Sequence, residues 1–247
     1  MPQATIVIPA RLASTRFPEK VLASATGRPM VQHVVEAANR AACARRVVVA
    51  ADDPRIIDAL RPYATQAILT RRDHPNGTSR LAEAASVLGL APEEIVVNVQ
   101  GDEPEIEAEV VDAAVMALAT SNAESATVGV PLASAADAAN ANIVKVVVRG
   151  DGTAMYFSRA AIPHHRGGGA GWLRHVGLYA YRRSFLDQYV ALPPTPLEQA
   201  ESLEQLRVLE HGYRMAVAIV PRAGGVGIDT PEQYAEFVER WRALGGA

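Results

Sequence analysis

Val97-Asn98-Val99-Gln100-Gly101-Asp102-Glu103-Pro104 sets a carboxylate at the carboxyl end of Ile95 to Val99, a run that reads as a buried strand. Open α/β sheets bind ligands in the crevice beyond such strand ends, and a hard divalent cation there takes oxygen ligands of the kind Asp102 offers. Aspartates after strands also turn the chain or cap the next helix. This segment alone does not separate the two roles.

Toward the N-terminus, Thr5 to Pro9 is a second short apolar strand, and Ala10 to Lys20 follows it without hydrophobic periodicity. Three cations in that loop, Arg11, Arg16 and Lys20, with Ser14 and Thr15 between them, offer donors suited to phosphate oxygens. A basic loop is usually just a solvated surface; as cations for a polyphosphate, Arg11 and Lys20 are expected to matter for ligand binding or turnover, while their loss leaves thermal stability nearly unchanged. Beside an acidic strand end, the loop reads as a site for a metal-bound polyphosphate. Neither a Gly-x-Gly-x-x-Gly fingerprint nor a Walker lysine motif is present in it, which argues against a dinucleotide fold and a P-loop NTPase.

Strand and helix patterns alternate along the rest of the chain. Pro29 opens a helix to about Cys43, Arg46 to Ala50 is a strand, and Asp53-Pro54 reads as an N-cap with a first-turn proline. A strand at Ala67 to Leu69 leads into the polar loop Thr70 to Thr78, and Ser79 to Leu88 is the helix behind it. A helix covers about Ala108 to Ala119, and strands lie at Thr127 to Pro131 and Val144 to Val148. Such alternation predicts a mostly parallel sheet covered by helices on both faces. After about Tyr156 the pattern changes: a glycine-rich connector, Gly167 to Gly171, precedes helical stretches at Ser184 to Ala191 and Leu197 to His211. The span from about residue 157 to 213 is expected to be a dimerising, substrate-covering insertion in a single domain of residues 1–247. Met215 to Val220 returns to the sheet, and Thr230 with Gln233 has capping-box spacing, with Pro231 at the first helical position. Asp229 is thereby left free to be a second metal carboxylate, or simply a turn residue.

Composition narrows the class. The chain has 247 residues, is 49% hydrophobic and carries a formal net charge of -3, so it buries a large core and has no global basic field to draw nucleic acid. No apolar run reaches the roughly 18 residues needed to span a membrane, and no charged-then-apolar leader opens it, so a cytoplasmic protein is expected. A single cysteine, Cys43, excludes an intrachain disulfide framework and a cysteine-cluster metal site.

Taken together, Pro9 to Arg16, His74 with Gly77-Thr78, Asn98 to Pro104, Phe157-Ser158-Arg159, Arg174-His175-Val176-Gly177, Leu203-Glu204-Gln205-Leu206-Arg207 and Asp229-Thr230-Pro231-Glu232 resemble the 3-deoxy-manno-octulosonate (Kdo) cytidylyltransferase family, also called CMP-Kdo synthetases. The likeness runs in order along essentially the whole chain. It implies a three-layer, Rossmann-like nucleotidyltransferase, a Mg²⁺-dependent homodimer that activates Kdo with CTP for lipopolysaccharide synthesis. It further implies that Ala10, Arg11, Ser14, Arg16 and Lys20 hold the triphosphate and that Asp102 and Asp229 hold the metal. Arg11, Lys20, Asp102 and Asp229 would then be the catalytic set. The loop with Arg71, His74, Asn76, Gly77 and Thr78 would read cytosine, and Gln100, Arg159, His175, Tyr179, Glu204 and Gln205 would surround the sugar acid, Arg159 against its carboxylate. Each sugar contact has a plain alternative as a structural hydrogen bond, His175 as a buried imidazole and Tyr179 as a core aromatic.

Two positions depart from the family pattern: Ser79 stands where an acidic residue usually follows Gly-Thr, and His164 where tryptophan usually follows Ile-Pro. The connector from His164 to Trp172 is also short. Rival readings are a cytidylyltransferase for another acid sugar, such as sialic acid or 8-amino-Kdo, and an inactive nucleotide-binding protein on the same fold.

Overall fold

The computed structural model describes residues 1–132, 134–166, 171–224 and 227–245. The glycine-rich connector expected at 167–171 therefore lies outside the described residues, except for Gly171. Among the described residues nine strands are formed: β1 (Ala4–Ala10), β2 (Ala44–Ala51), β3 (Ala67–Leu69), β4 (Ile95–Asn98), β5 (Ser125–Leu132), β6 (Lys145–Val148), β7 (Ala154–Ser158), β8 (Trp172–Arg182) and β9 (Met215–Ile219). The helices are α1 (Met30–Ala38), α2 (Pro54–Leu60), α3 (Gly77–Val87), α4 (Ala108–Ala119), α5 (Ala135–Ala139), α6 (Arg183–Ala191), α7 (Pro196–Glu201), α8 (Gln205–Glu210) and α9 (Pro231–Ala243).

The main sheet runs β3-β2-β1-β4-β8-β5-β9, with β6 and β7 attached through β8. Pairs β1·β2, β1·β4, β2·β3 and β5·β9 are parallel, and β8 alone on that path runs antiparallel to both neighbours. Helices lie on both faces, as the alternating pattern predicts. One face packs Ile6, Ile8, Val34 and Val49 with α4 residues such as Val111 and Leu118. The other packs Val7 and Val96 with Leu81 of α3 and Phe185 and Leu186 of α6. Central strands buried on both sides are near-continuous apolar runs for this reason.

Local signals set several helix starts. Asp53 Oδ1 accepts from Arg55 N–H at 3.0 Å, and Asn76 Oδ1 accepts from Ser79 N–H at 2.8 Å. Thr230 and Gln233 form the expected capping box, with Pro231 at the first helical position. These bonds satisfy N–H groups that a helix end otherwise leaves open.

The structure corrects three expectations. First, α1 ends at Ala38, and Cys43 lies beyond it, buried, its thiol pushed up to about 12 by burial and a hydrogen bond with Asp112. Second, the helix expected over Leu197 to His211 is two, broken at Ser202, whose φ of 51° puts it in the left-handed region. Third, residues 157–213 are not set apart from the sheet, because β8 within that span is a central strand of it.

Candidate active site

A cleft of about 980 Å³ opens at the carboxyl ends of β1 and β4. The loop after β1, the first turn of α3, the turn after β4, the start of α8 and the segment before α9 all contribute to it. Of the residues nominated from sequence, the cleft gathers all except Arg71, Arg159 and His175. Close strand packing shapes its floor: a Cβ on Gly101 would lie 2.7 Å from Pro9 O, so no larger residue fits there without a backbone shift.

At one end stand the two carboxylates. Ile228 N–H donates to Asp102 O at 2.8 Å, which draws the segment before α9 onto the turn after β4. Lys20 Nζ lies between the acids, 2.6 Å from Asp102 Oδ2 and 3.0 Å from Asp229 Oδ1, and also donates to Ile228 O at 2.9 Å. Arg16 Nη2 reaches Asp229 Oδ2 at 2.8 Å from the solvent side. Lys20 is thus not a solvated loop cation, since only 12% of its side chain is exposed. Its ammonium fills the position of a shared cation. Among the described residues no group of three or more His, Cys, Asp or Glu side chains could hold a metal by itself. Two carboxylates and a main-chain carbonyl are hard oxygen donors, suited to a divalent cation that completes its shell with water and phosphate oxygens.

The other end is the turn that opens α3. His74 is fixed through Nδ1 to Ser79 Oγ at 3.1 Å and through Nε2 to Glu83. Ser79, the departure from the family pattern, also donates to Asn76 O at 2.9 Å. This serine closes the loop on itself. Arg71 is exposed, and its main-chain N–H donates to the Glu83 carboxylate, so its side chain is no part of the cleft wall.

Several lining residues escaped the sequence reading. Arg80 is 4% exposed, and its Nη1 donates to Thr70 Oγ1 (2.6 Å) and Arg71 O (2.8 Å). Burial holds its pKa below the usual arginine value, and among the described residues no carboxylate lies within ion-pair distance of it. Asn98, at the end of β4, is buried, and among the described residues its Oδ1 has no hydrogen-bond partner. Both were visible in sequence as polar residues on otherwise apolar faces.

Beyond Tyr179 the cleft meets a smaller one of about 480 Å³, with Gly177, Tyr179, Leu203 and Gln205 lining both. Tyr179 OH donates to Gln205 Oε1 at 3.2 Å, and Gln100 Nε2 to Gly177 O at 3.4 Å. His175 lines the smaller cleft and is 8% exposed. Burial, reinforced by Arg174, pushes its pKa down to about 3, so the imidazole is neutral. Its Nε2 lies 2.9 Å from Thr127 Oγ1, which donates to Leu178 O at 2.8 Å. Glu103 is pushed up to about 7 by burial and the adjacent Asp102, against the pull of Arg174.

Arg159 is not brought into either cleft. Its Nε donates to Glu201 O at 2.8 Å, Nη1 to Ala141 O at 3.1 Å and Nη2 to Ser202 O at 3.4 Å, and its own N–H donates to Glu201 Oε2 at 2.9 Å. In this arrangement it braces the turn between α7 and α8 that carries Glu204 and Gln205. His164 is exposed, and Trp172 instead donates its indole N–H to Pro163 O at 3.2 Å.

Comparison with known proteins gives a consistent picture. A family model described as cytidylyltransferase matches residues 5–217. A 3-deoxy-manno-octulosonate cytidylyltransferase of Acidovorax ebreus (strain TPSY) is 49% identical over 259 residues, covering 98% of this chain and 97% of the relative. One from Photorhabdus laumondii subsp. laumondii is 47% identical over 239 residues, covering 94% and 96%. A solved structure of CMP:2-keto-3-deoxy-manno-octonic acid synthetase complexed with CTP is 41% identical, with a TM-score of 0.92 over 98% of this chain and 99% of that one. A cytidylyltransferase from Leptospira borgpetersenii, at 16% identity and a TM-score of 0.62 over 98% of this chain and 88% of that one, shares the fold.

Proposed function

The chain belongs to the cytidylyltransferase family, and from that premise we propose that its cleft transfers the cytidylyl group of CTP to the anomeric hydroxyl of Kdo. The products are CMP-Kdo, which feeds lipopolysaccharide biosynthesis, and pyrophosphate. The observation that carries this reading is the pair of carboxylates from separate strand ends, Asp102 and Asp229, joined by Lys20 and flanked by Arg16. It stands in a chain 49% identical to Kdo cytidylyltransferases over nearly its full length.

The sugar hydroxyl attacks the α-phosphorus in line and pyrophosphate departs, so the protein's work is positioning and neutralising charge. Arg11, Arg16 and Lys20 hold the triphosphate, with Ser14 and the main chain at Ala10 beside it. Lys20 has two duties, keeping the acids together in the free enzyme and meeting phosphate in the complex. Asp102 and Asp229 would hold Mg²⁺, which when bound would supply neutralisation of the triphosphate charge. The turn Asn76-Gly77-Thr78, with His74 behind it, reads cytosine; Gln100, Tyr179, Glu204 and Gln205 face the sugar, with neutral His175 behind them.

Residues 157–213 complete the sugar side of one domain spanning 1–247. A homodimer belongs to the same reading. No helix among the described residues is long and apolar enough to cross a membrane.

Pyrophosphate release with each of four nucleotides, against Kdo, sialic acid and 8-amino-Kdo, tests the reaction. Fastest release with CTP and Kdo is expected. A faster reaction with another sugar overturns the sugar, and no release with any pair overturns the enzyme. Asp102→Asn and Asp229→Asn are each expected to lower turnover at least about 10²-fold with folding retained.

A further inference from the structure

Asp52 and Asp53 follow β2, between the two loops that the proposed nucleotide site uses. Asp52 Oδ1 accepts from Leu12 N–H at 3.1 Å, and its N–H donates to Ala10 O at 3.1 Å. This pair of bonds fixes the root of the triphosphate loop. Asp52 O accepts from Arg72 Nε at 3.1 Å, and Asp53 Oδ2 accepts from Arg72 Nη2 at 2.5 Å, which fixes the base loop. Asp53 Oδ1 receives both the N–H and Nε of Arg55, at 3.0 and 3.1 Å. Arg55 Nη1 then donates to Glu19 Oε1 at 2.6 Å.

Glu19 is the residue before Lys20. Its φ of 54° lies in the left-handed region, which non-glycine residues adopt only when their surroundings hold them there. The Arg55 contact and the Glu19 N–H on Leu12 O, at 3.3 Å, supply that hold. Capping of α2 needs only one oxygen of Asp53. The second oxygen, on Arg72, serves a different loop.

We infer that Asp53 is a positioning residue that sets the triphosphate loop (12–20) and the base loop (70–76) relative to each other, through Arg55–Glu19 on one side and Arg72 on the other. Its side chain is 11% exposed, whereas Arg55 and Arg72 are 60% and 72% exposed. The bracket is therefore a fixed acceptor with screened, adjustable cations, and the effect of breaking it is expected to be moderate. The inference rests on the proposed use of both loops by CTP.

Asp53→Asn tests it, since asparagine caps a helix as well as aspartate and lacks the charge that holds two arginines. The expected result is a thermal midpoint within a few degrees of wild type, with CTP affinity by calorimetry and KM for CTP worse by roughly 3–10-fold and kcat changed less. Unchanged CTP affinity in a folded Asp53→Asn enzyme overturns the bracket. A cycle of Glu19→Gln and Arg72→Ala does not depend on the fold of that variant. These exposed residues sit in different loops, and independent sites would have multiplying effects on CTP affinity. Effects that fail to multiply support coupling through Asp53, and effects that multiply overturn it. Wild-type enzyme that does not bind CTP removes the functional reading itself; wild type that binds CTP beside unaffected variants removes only the bracket.

Discussion

Lys20→Met removes one charge while keeping most of the aliphatic stem, and its consequences for stability and for catalysis can be read separately. Lys20 Nζ touches three oxygens, at 2.6 Å (Asp102), 3.0 Å (Asp229) and 2.9 Å (Ile228 O). Hydrogen bonds involving a charged group contribute about 1.5–3 kcal/mol each when well shielded. Here the acids are 29% and 40% exposed, so water screens much of that gain. The sum therefore comes down to about 1–2 kcal/mol for the ligand-free enzyme, taking the discounted bonds together. For a chain of this size that is a fall in thermal midpoint of about 2–8 °C. Scanning calorimetry at low ionic strength with chelator measures it. Because the two carboxylates would then repel with only Arg16 beside them, the deficit should shrink in about 1 M salt, where the screening length is about 3 Å. Turnover with CTP and Kdo should fall by at least about 10²-fold at any salt. Identical midpoints for Lys20→Met and wild type at low salt would refute the bridging role and restore the solvated-loop view of this lysine.

Three further outcomes are expected. His175 has a folded pKa of about 3 against an unfolded 6.5, so between those values the unfolded chain binds the extra proton and stability drains away as pH falls below about 6.5. The loss is about 2 kcal/mol from pH 7.5 to 5; His175→Gln should flatten that part of the profile in chemical denaturation, and an unchanged slope would count against a neutral buried imidazole. Arg159→Ala should lower the thermal midpoint and raise the KM for Kdo together, since it frees the turn carrying Glu204 and Gln205; an equal loss of CTP affinity would contradict a role confined to the sugar side. Gly101→Ala puts a carbon 2.7 Å from Pro9 O, and this overpacking should cost about 1–3 kcal/mol and cut turnover, which a thermal scan beside a rate assay would check.

What could be read from the sequence was what short-range chemistry determines. Apolar runs announced β1 and β4, Asp53-Pro54 and Thr230 with Gln233 announced helix starts, and α4 came out at its observed bounds. Carboxylates at two strand ends and a basic loop were legible as a site because residue type limits the chemistry. Partners were not legible. Lys20 was known to be cationic, yet nothing local says that it lies between two acids, one 82 and the other 209 residues away. The break at Ser202 interrupts a pattern that reads as continuous helix, and it is held by Arg159, 43 residues earlier. β8 mixes Arg174, His175 and Tyr179 into its run, so periodicity does not mark it as a central strand. Its polar groups are satisfied across the sheet, as His175 is by Thr127.

The central place of β8 also bears on how the chain assembles during synthesis. β4 and β5 do not pair with each other, and each presents an edge to β8. A ribosome that has delivered the chain through Leu132 has therefore released β4 and β5 with the edges that β8 will cover still open, both apolar, and neither is fully paired with β8 until residue 182 has emerged. Such edges template intermolecular pairing. Chains interrupted before Trp172 should accumulate as aggregates, whereas interruption after Ile219 leaves every strand with its partner.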